Sequence, residues 1–202
     1  MIFVQITQFG LSLDMSKALK CEFVEICKLL YVRGLAKAWG GNVSVRNGKN
    51  HIIITPKGAS LFDISLDNLV VTTLDGLVIE GGEPSSELPM HSAIYHTRSD
   101  IGAIIHIHSL YSTLYSILKK PIELLTPESK TLIRALQIVE YAEPGSQELA
   151  EIVANRFKDH SACILARHGI VVGGSSLKDA YYLAELIEET TKLNFLMKLI
   201  RS

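Results

Sequence analysis

Ile101-Gly-Ala-Ile-Ile-His-Ile-His-Ser109 is an apolar run interrupted by two histidines one residue apart. Read as a β-strand, it alternates its side chains between two faces, so His106 and His108 point the same way. Two imidazoles aimed into one space at the end of an apolar strand are two legs of a metal site. Imidazole suits zinc and other divalent transition metals, and a catalytic site takes three protein ligands and leaves a position open. The third candidate is His168, in Cys163-Ile-Leu-Ala-Arg-His-Gly-Ile170, where another apolar run ends in histidine and glycine. Taken alone, a His-x-His pair also fits a decorated strand or satisfied core histidines. The surrounding sequence has to separate these readings.

Working outward, the histidine strand sits between helical patterns. Upstream, Leu19, Phe23, Ile26, Cys27, Leu30 and Leu35 recur at helical spacing after a cap at Asp14 or Ser16, and Gly40-Gly41 is the expected stop. Asn42–Arg46 and His51–Thr55 flank Asn47-Gly48, and Leu69–Thr73 and Leu77–Glu80 flank Asp75-Gly76, which predicts two hairpins. A helix is expected over Ser86–Arg98, with Pro89 tolerated in its first turn. Downstream, short helices are expected over Leu110–Leu118 and Ser146–Phe157, and a strand near Ala135–Val139. The apolar runs Cys163–Ala166 and Ile170–Gly173 bracket Arg167-His168-Gly169. A long helix over Leu177–Ile200 closes the chain, with Leu183, Leu186, Ile187, Leu193, Met197 and Ile200 as its core stripe. Strands mixed with helices point to an α/β domain with helices on both sides of a mixed sheet. Trp39, at the end of the first helix, is expected in the core.

The chain has 202 residues and a formal net charge of -1, so one domain with an ample core is expected and a polyanion-binding surface is not. Residues 1–14 read as an extension ahead of a single domain over 15–202, with Met15 a possible alternative start. No apolar run is long enough to span a bilayer, and the first ten residues lack the basic leader and apolar core of a signal peptide. Three cysteines, an odd number without a C-x-x-C pair, fit buried thiols in a reducing cytoplasm.

Four further segments are polar beyond what packing needs. Gly40-Gly-Asn-Val-Ser44 sets a glycine turn and an amide between helix and strand, and Thr55-Pro-Lys-Gly58 a hydroxyl, a cation and a permissive glycine after a strand. Pro84-Ser-Ser-Glu-Leu-Pro-Met-His91 puts two hydroxyls and a carboxylate at a helix start, whose free N–H groups and partial positive charge favour an anion. Ser85-Ser86-Glu87 is also compatible with an ordinary cap. His91, four residues after Glu87, shares its helix face and reads as packed or hydrogen-bonded.

Together, and in this order, Gly41-Asn42-Val-Ser-Val-Arg46, Thr55-Pro-Lys-Gly58, Ser85-Ser86-Glu87 with His91, His106-x-His108 and His168-Gly169 resemble the class II aldolase/adducin-head superfamily. Within it they are most similar to the fuculose-1-phosphate-aldolase-like enzymes. The resemblance runs from about residue 17 to 200. It implies a three-layer α/β/α fold around a central, mainly antiparallel sheet, and a Zn2+-dependent lyase acting on a phosphorylated ketose. It also implies a homotetramer with active sites at subunit interfaces, and no nucleic-acid or membrane partner is expected. The family's metal ligands fall on His106, His108 and His168. Its phosphate-binding positions fall on Gly41, Asn42, Thr55, Gly58, Ser85 and Ser86, and its acid/base falls on Glu87.

Glutamate at 87 matches the aldolases of the superfamily, whereas its pentulose-phosphate 4-epimerases carry aspartate. The three histidines separate this chain from non-catalytic adducin heads. Two departures concern tyrosines that the characterised aldolases use. Lys120–Lys130 contains none, and the chain stops at Ser202, directly after the last helix, so a tail tyrosine has no counterpart. Tyr111, Tyr115 and Tyr141 match no family position. The alternatives on the same scaffold are a methylthioribulose-phosphate dehydratase, a 4-epimerase, or an adducin-head-like interaction module.

Overall fold

The structure, a computed structural model, describes residues 2–201, with side chains from 17 to 200. Eight strands form one sheet: β1 (Asn42–Asn47), β2 (His51–Ile54), β3 (Val70–Thr73), β4 (Val78–Glu80), β5 (Ala103–Ile107), β6 (Ile138–Val139), β7 (Ala162–Leu165) and β8 (Gly169–Gly174). Their order is β4-β3-β2-β1-β5-β8-β7-β6, antiparallel throughout except for the parallel β6–β7 edge. The helices are α1 (Ile2–Val32), α2 (Leu88–Thr97), α3 (Leu110–Leu118), α4 (Gln147–Phe157) and α5 (Leu177–Arg201). Both predicted hairpins are present, and the expected helices and strands after residue 85 appear within three residues of their expected bounds.

Strand alternation builds the three layers. Ala103, Ile105 and Ile107 of β5 pack with Val43, Ile53, Ile170 and Val172 under Phe23 and Leu30 of α1 and Ala184 and Ile187 of α5. The opposite parity, Ile104 with Ile52, Ile54 and Val171, packs under Met90 and Ile94 of α2 and Leu149 and Val153 of α4. His106 shares the parity of Ile104, so it lies on the α2–α4 side, fully buried in the centre of the sheet. The domain is therefore α/β, with the mainly antiparallel sheet between two helical layers.

Three expectations change. Helix α1 runs through residues 14 to 16 instead of starting there, and it ends at Val32, well before Gly40. The stop is Gly34 at φ +73: its N–H bonds to the Tyr31 carbonyl at 2.9 Å, and the Leu35 N–H bonds back to the Leu30 carbonyl at 2.9 Å. That closes a Schellman turn with buried Leu35 over Leu30. The buried face of α5 is Leu177, Ala180, Ala184, Ile187, Thr191 and Asn194, with Leu183 and Leu186 at its margin and Ile200 85% exposed. Cys27 and Cys163 are buried as expected, but Cys21 is exposed. The segment between α3 and β6, which lacks a clear pattern in sequence, is clasped by Asn194. Its Oδ1 accepts the Glu123 N–H at 2.9 Å and its Nδ2 donates to the Glu123 carbonyl at 2.8 Å.

Candidate active site and metal centre

β5 delivers His106 on its last inward position and His108 just beyond, while the β7–β8 turn delivers His168. The His106 Nε2 lies 2.9 Å from His108 Nε2 and 3.3 Å from His168 Nε2. Among the described residues, these three form the one group of histidine, cysteine or acidic side chains positioned to hold a metal ion. Ligand nitrogens about 2.0–2.1 Å from a tetrahedral zinc stand roughly 3.3 Å from each other; the two distances from His106 are near that value, and all three ligand atoms lie within 4.8 Å of one another. The Ile170 carbonyl, 2.8 Å from His106 Nδ1, accepts a hydrogen bond from that nitrogen, so Nε2 is left with its lone pair facing the other rings. Burial holds the His106 imidazole far below its ordinary range, with His168 and His108 adding to the effect. Burial also lowers His108, and burial followed by the neighbouring His108 takes His168 down to about 4. All three rings are thus neutral, the form that binds metal.

Two devices hold the histidines in place. Glu188 of α5 accepts from the backbone N–H groups of Tyr111 and Ser112 at 2.8 and 3.0 Å and from Ser112 Oγ at 2.7 Å, capping α3 directly after His108. The position before the helix, Ser109, makes no side-chain cap of its own. The second device is Gly169, next to His168. A Cβ there would stand 2.3 Å from the Ile107 carbonyl oxygen and 3.1 Å from His108 Cδ2. Gly169→Ala is therefore expected to push β8 off β5, lower stability by about 1–3 kcal/mol as for an overpacked core, and weaken metal binding. Thermal melts with and without added metal check both effects.

A cleft of about 310 Å³ opens over the histidines, walled by Gly41, Asn42, Gly58, Ser85, Ser86 and Glu87 as well as by all three imidazoles. Ser85 Oγ accepts the Glu87 N–H at 3.3 Å, and Ser86 is exposed at the start of α2, so both hydroxyl protons remain available to a ligand. Thr55 is the exception among the expected residues. It lies behind the wall, 1% exposed, with its Oγ1 taking the Val43 N–H at 3.3 Å, so it braces the exit of β2. Lys57 pairs with Glu83 at 2.6 Å on the surface.

Glu87 is 5% exposed, and its Oε2 has no hydrogen-bond partner among the described residues. Burial raises its carboxyl to about 7, against the backbone N–H of Gly145, which favours the ionised form. A nearly buried carboxyl raised toward neutrality, with one free oxygen, has the character that proton transfer at neutral pH requires.

Sequence reasoning missed several neighbours of the cleft. Trp39 is 75% exposed and lines the cleft instead of packing in the core; Ala38 before it has φ +50, which turns the chain outward. Pro144 lines the opposite wall. Tyr141 stacks under the Arg167 guanidinium at 4.2 Å and donates to Glu143 at 3.0 Å, so it flanks the His168 turn. Tyr115 is buried in the core. His91, read as packed or hydrogen-bonded, is fully buried, with Asn42 Oδ1 2.6 Å from Nε2 and Ser44 Oγ 2.7 Å from Nδ1.

Known proteins share this arrangement of elements. An L-fuculose phosphate aldolase of Methanocaldococcus jannaschii is 45% identical over 182 residues, covering 90% of this chain and 98% of that protein. A 3-oxo-tetronate 4-phosphate decarboxylase of Haemophilus influenzae is 37% identical over 180 residues, covering 87% of this chain and 86% of that protein. The solved structure of an L-fuculose 1-phosphate aldolase superposes with a TM-score of 0.83 at 35% identity, covering 92% of this chain and 88% of that one. Residues 21–195 match the description of the Class II Aldolase and Adducin N-terminal domain family, and with the eight-stranded sheet and histidine cluster in place, the chain belongs to that family.

Proposed function

We propose that the chain is a zinc-dependent lyase that cleaves a ketose 1-phosphate to dihydroxyacetone phosphate and an aldehyde, and forms it in reverse. The observation that supports this most is the convergence of three neutral imidazoles with a buried, half-unpaired Glu87 in one cleft walled by hydroxyls and an amide. His106, His108 and His168 would hold the ion, which, keeping its full double charge among neutral ligands, would supply Lewis acidity to a substrate carbonyl.

The remaining work falls to the chain itself. Asn42, Ser85 and Ser86, with the backbone at Gly41 and Gly58, would bind the phosphate. Fixing that remote group turns its binding energy into orientation of the carbons to be cleaved. Glu87 Oε2 would take and return the proton that the cleavage moves, and Gly145 would keep the other oxygen still.

A second reading rests on the decarboxylase relative. A 3-oxo-tetronate 4-phosphate that loses carbon dioxide leaves dihydroxyacetone phosphate by its own constitution. The same phosphate and carbonyl contacts would therefore serve either reaction, and only the departing half differs. A panel of ketose 1-phosphates and 3-oxo-tetronate 4-phosphate separates the readings by the co-product. An aldehyde beside dihydroxyacetone phosphate is the expected result; carbon dioxide would assign the decarboxylase. Chelation is expected to abolish turnover and zinc to restore it. Bound zinc without turnover of any of these substrates would instead favour an interaction module.

Assembly and setting follow the same reading. Exposed Leu110, Ile117, Leu118 and Leu132 are apolar surface that a homotetramer would cover. No helix among the described residues is long and apolar enough to cross a membrane. Free cysteines, two of them buried, fit a cytoplasmic location.

A further inference from the structure

Resting on the reading of the cleft as a phosphate site, we propose that His91 is a positioning residue. Through a one-way chain of buried hydrogen bonds, it holds the Asn42 carboxamide with its NH2 edge toward the substrate phosphate.

Asn42 is the member of the chain that lines the cleft, while His91, Ser44 and Tyr95 lie behind it at 0%, 0% and 2% exposure. The contacts run without a gap: Tyr95 OH to Ser44 Oγ at 2.9 Å, Ser44 Oγ to His91 Nδ1 at 2.7 Å, and His91 Nε2 to Asn42 Oδ1 at 2.6 Å. A neutral imidazole has one donor nitrogen and one acceptor. If Nε2–H donates to Asn42 Oδ1, Nδ1 must accept, and the Ser44 hydroxyl must give its proton to Nδ1. Ser44 can then accept the Tyr95 proton.

The direction is set at the cleft end. Asn42 Oδ1 can only accept, so the 2.6 Å contact makes Nε2 the donor, and the Ser44 and Tyr95 protons follow in order. The Tyr95 ring cannot turn away: Arg46 covers its face at 4.6 Å and is itself tied to the carbonyls of Tyr95 and Ile101, each at 2.7 Å. Burial keeps His91 neutral, taking its imidazole down to about 3, so protonation does not reverse the chain near neutral pH.

The consequence lies at the cleft. A carboxamide is nearly symmetric in shape, and turned over it would show a carbonyl oxygen to an anion. With Oδ1 occupied by His91, only Nδ2 and its two protons face outward. Asn42 is also the backbone partner of His106 across β1 and β5, so the donor is set beside the metal ligands. Ser44 and Tyr95 touch neither cleft nor ligand, yet they would control how an anion binds.

Calorimetric titration of the metal-loaded protein with inorganic phosphate tests the chain of bonds, with Asn42→Ala as reference. Ser44→Ala is expected to weaken phosphate binding by about tenfold or more, the scale of one hydrogen bond to a charged group. Tyr95→Phe, which keeps the packing and removes the root proton, is expected to act in the same direction with a smaller factor, and it decides the matter if Ser44→Ala does not fold. His91→Gln, which retains a donor toward Asn42, is expected to bind phosphate better than His91→Leu. For a phosphorylated ketose the loss falls on KM more than on kcat, while bound zinc stays at the wild-type level. A merely structural role would lower kcat, phosphate affinity and metal content together, and that result would overturn the proposal. Loss of phosphate in Asn42→Ala with wild-type affinity in Ser44→Ala and Tyr95→Phe overturns the chain of bonds alone. Equal phosphate affinity in wild type and Asn42→Ala, or none in either, overturns the reading of the cleft as well.

Discussion

Alanine at His168 is expected to abolish stoichiometric metal binding and with it turnover, while the domain stays folded. His168 stands in the β7–β8 turn and is only half-buried, so its ring can be removed without opening the sheet. Loss of an outer hydrogen bond to a metal ligand costs about 10–100-fold in metal affinity, and loss of a ligand costs more. Two nitrogens remain, on His106 and His108, one fewer than the three protein ligands a catalytic zinc site takes. Elemental analysis of the purified variant, beside its thermal melt, reads the two properties separately. A folded variant that still carries one metal per chain would remove His168 from the ligand set. His106→Ala is the less clean companion. It strips a ring that is 0% exposed, empties a site in the middle strand and leaves the Ile170 carbonyl without its donor. A stability loss of about 2–5 kcal/mol is expected there alongside the loss of metal.

The legibility of that cluster in the sequence has a physical reason. A strand has a period of two, so His106 and His108 had to share a face once Ile101–Ile107 was read as a strand. His168 was legible because it ends an apolar run that could only be another core strand. Readings failed where one residue's role depends on a distant backbone. The stripe of α5 was sought in its large apolar residues. The helix lies so close to β8 that a Cβ on Gly174 would stand 2.3 Å from the Ala180 nitrogen, so the buried face uses Ala180 and Ala184 instead. Hydrophobicity alone points Trp39 inward, but the left-handed backbone at Ala38 turns it to the cleft. Thr55 has the composition of a phosphate ligand, yet at 1% exposure it does not line the cleft. The hydrogen bonds of His91 join residues about fifty positions apart, and no local pattern encodes them.

Glu87→Gln is expected to lower turnover by about 10²–10⁴-fold with zinc content unchanged, because glutamine keeps the shape and loses the transferable proton. Stability provides a second, opposite readout. Glu87 has its carboxyl raised from an ordinary 4.5 to about 7 by burial, so the folded chain holds that proton more tightly than the unfolded chain does. Its contribution is fully present below pH 4.5 and is lost as pH rises through 7. A shift of this size corresponds to roughly 3 kcal/mol. In metal-free protein, wild type should therefore lose stability relative to Glu87→Gln between pH 5 and pH 8, most of it before pH 7. The variant should melt higher at pH 8 while turning over far less. A residue kept for packing would show the stability gain without the activity loss, and unchanged turnover in Glu87→Gln would remove it from the reaction. A nearly buried carboxyl with a free oxygen destabilises the fold that holds it at neutral pH, so the two signs are expected to oppose each other where that carboxyl also carries the proton.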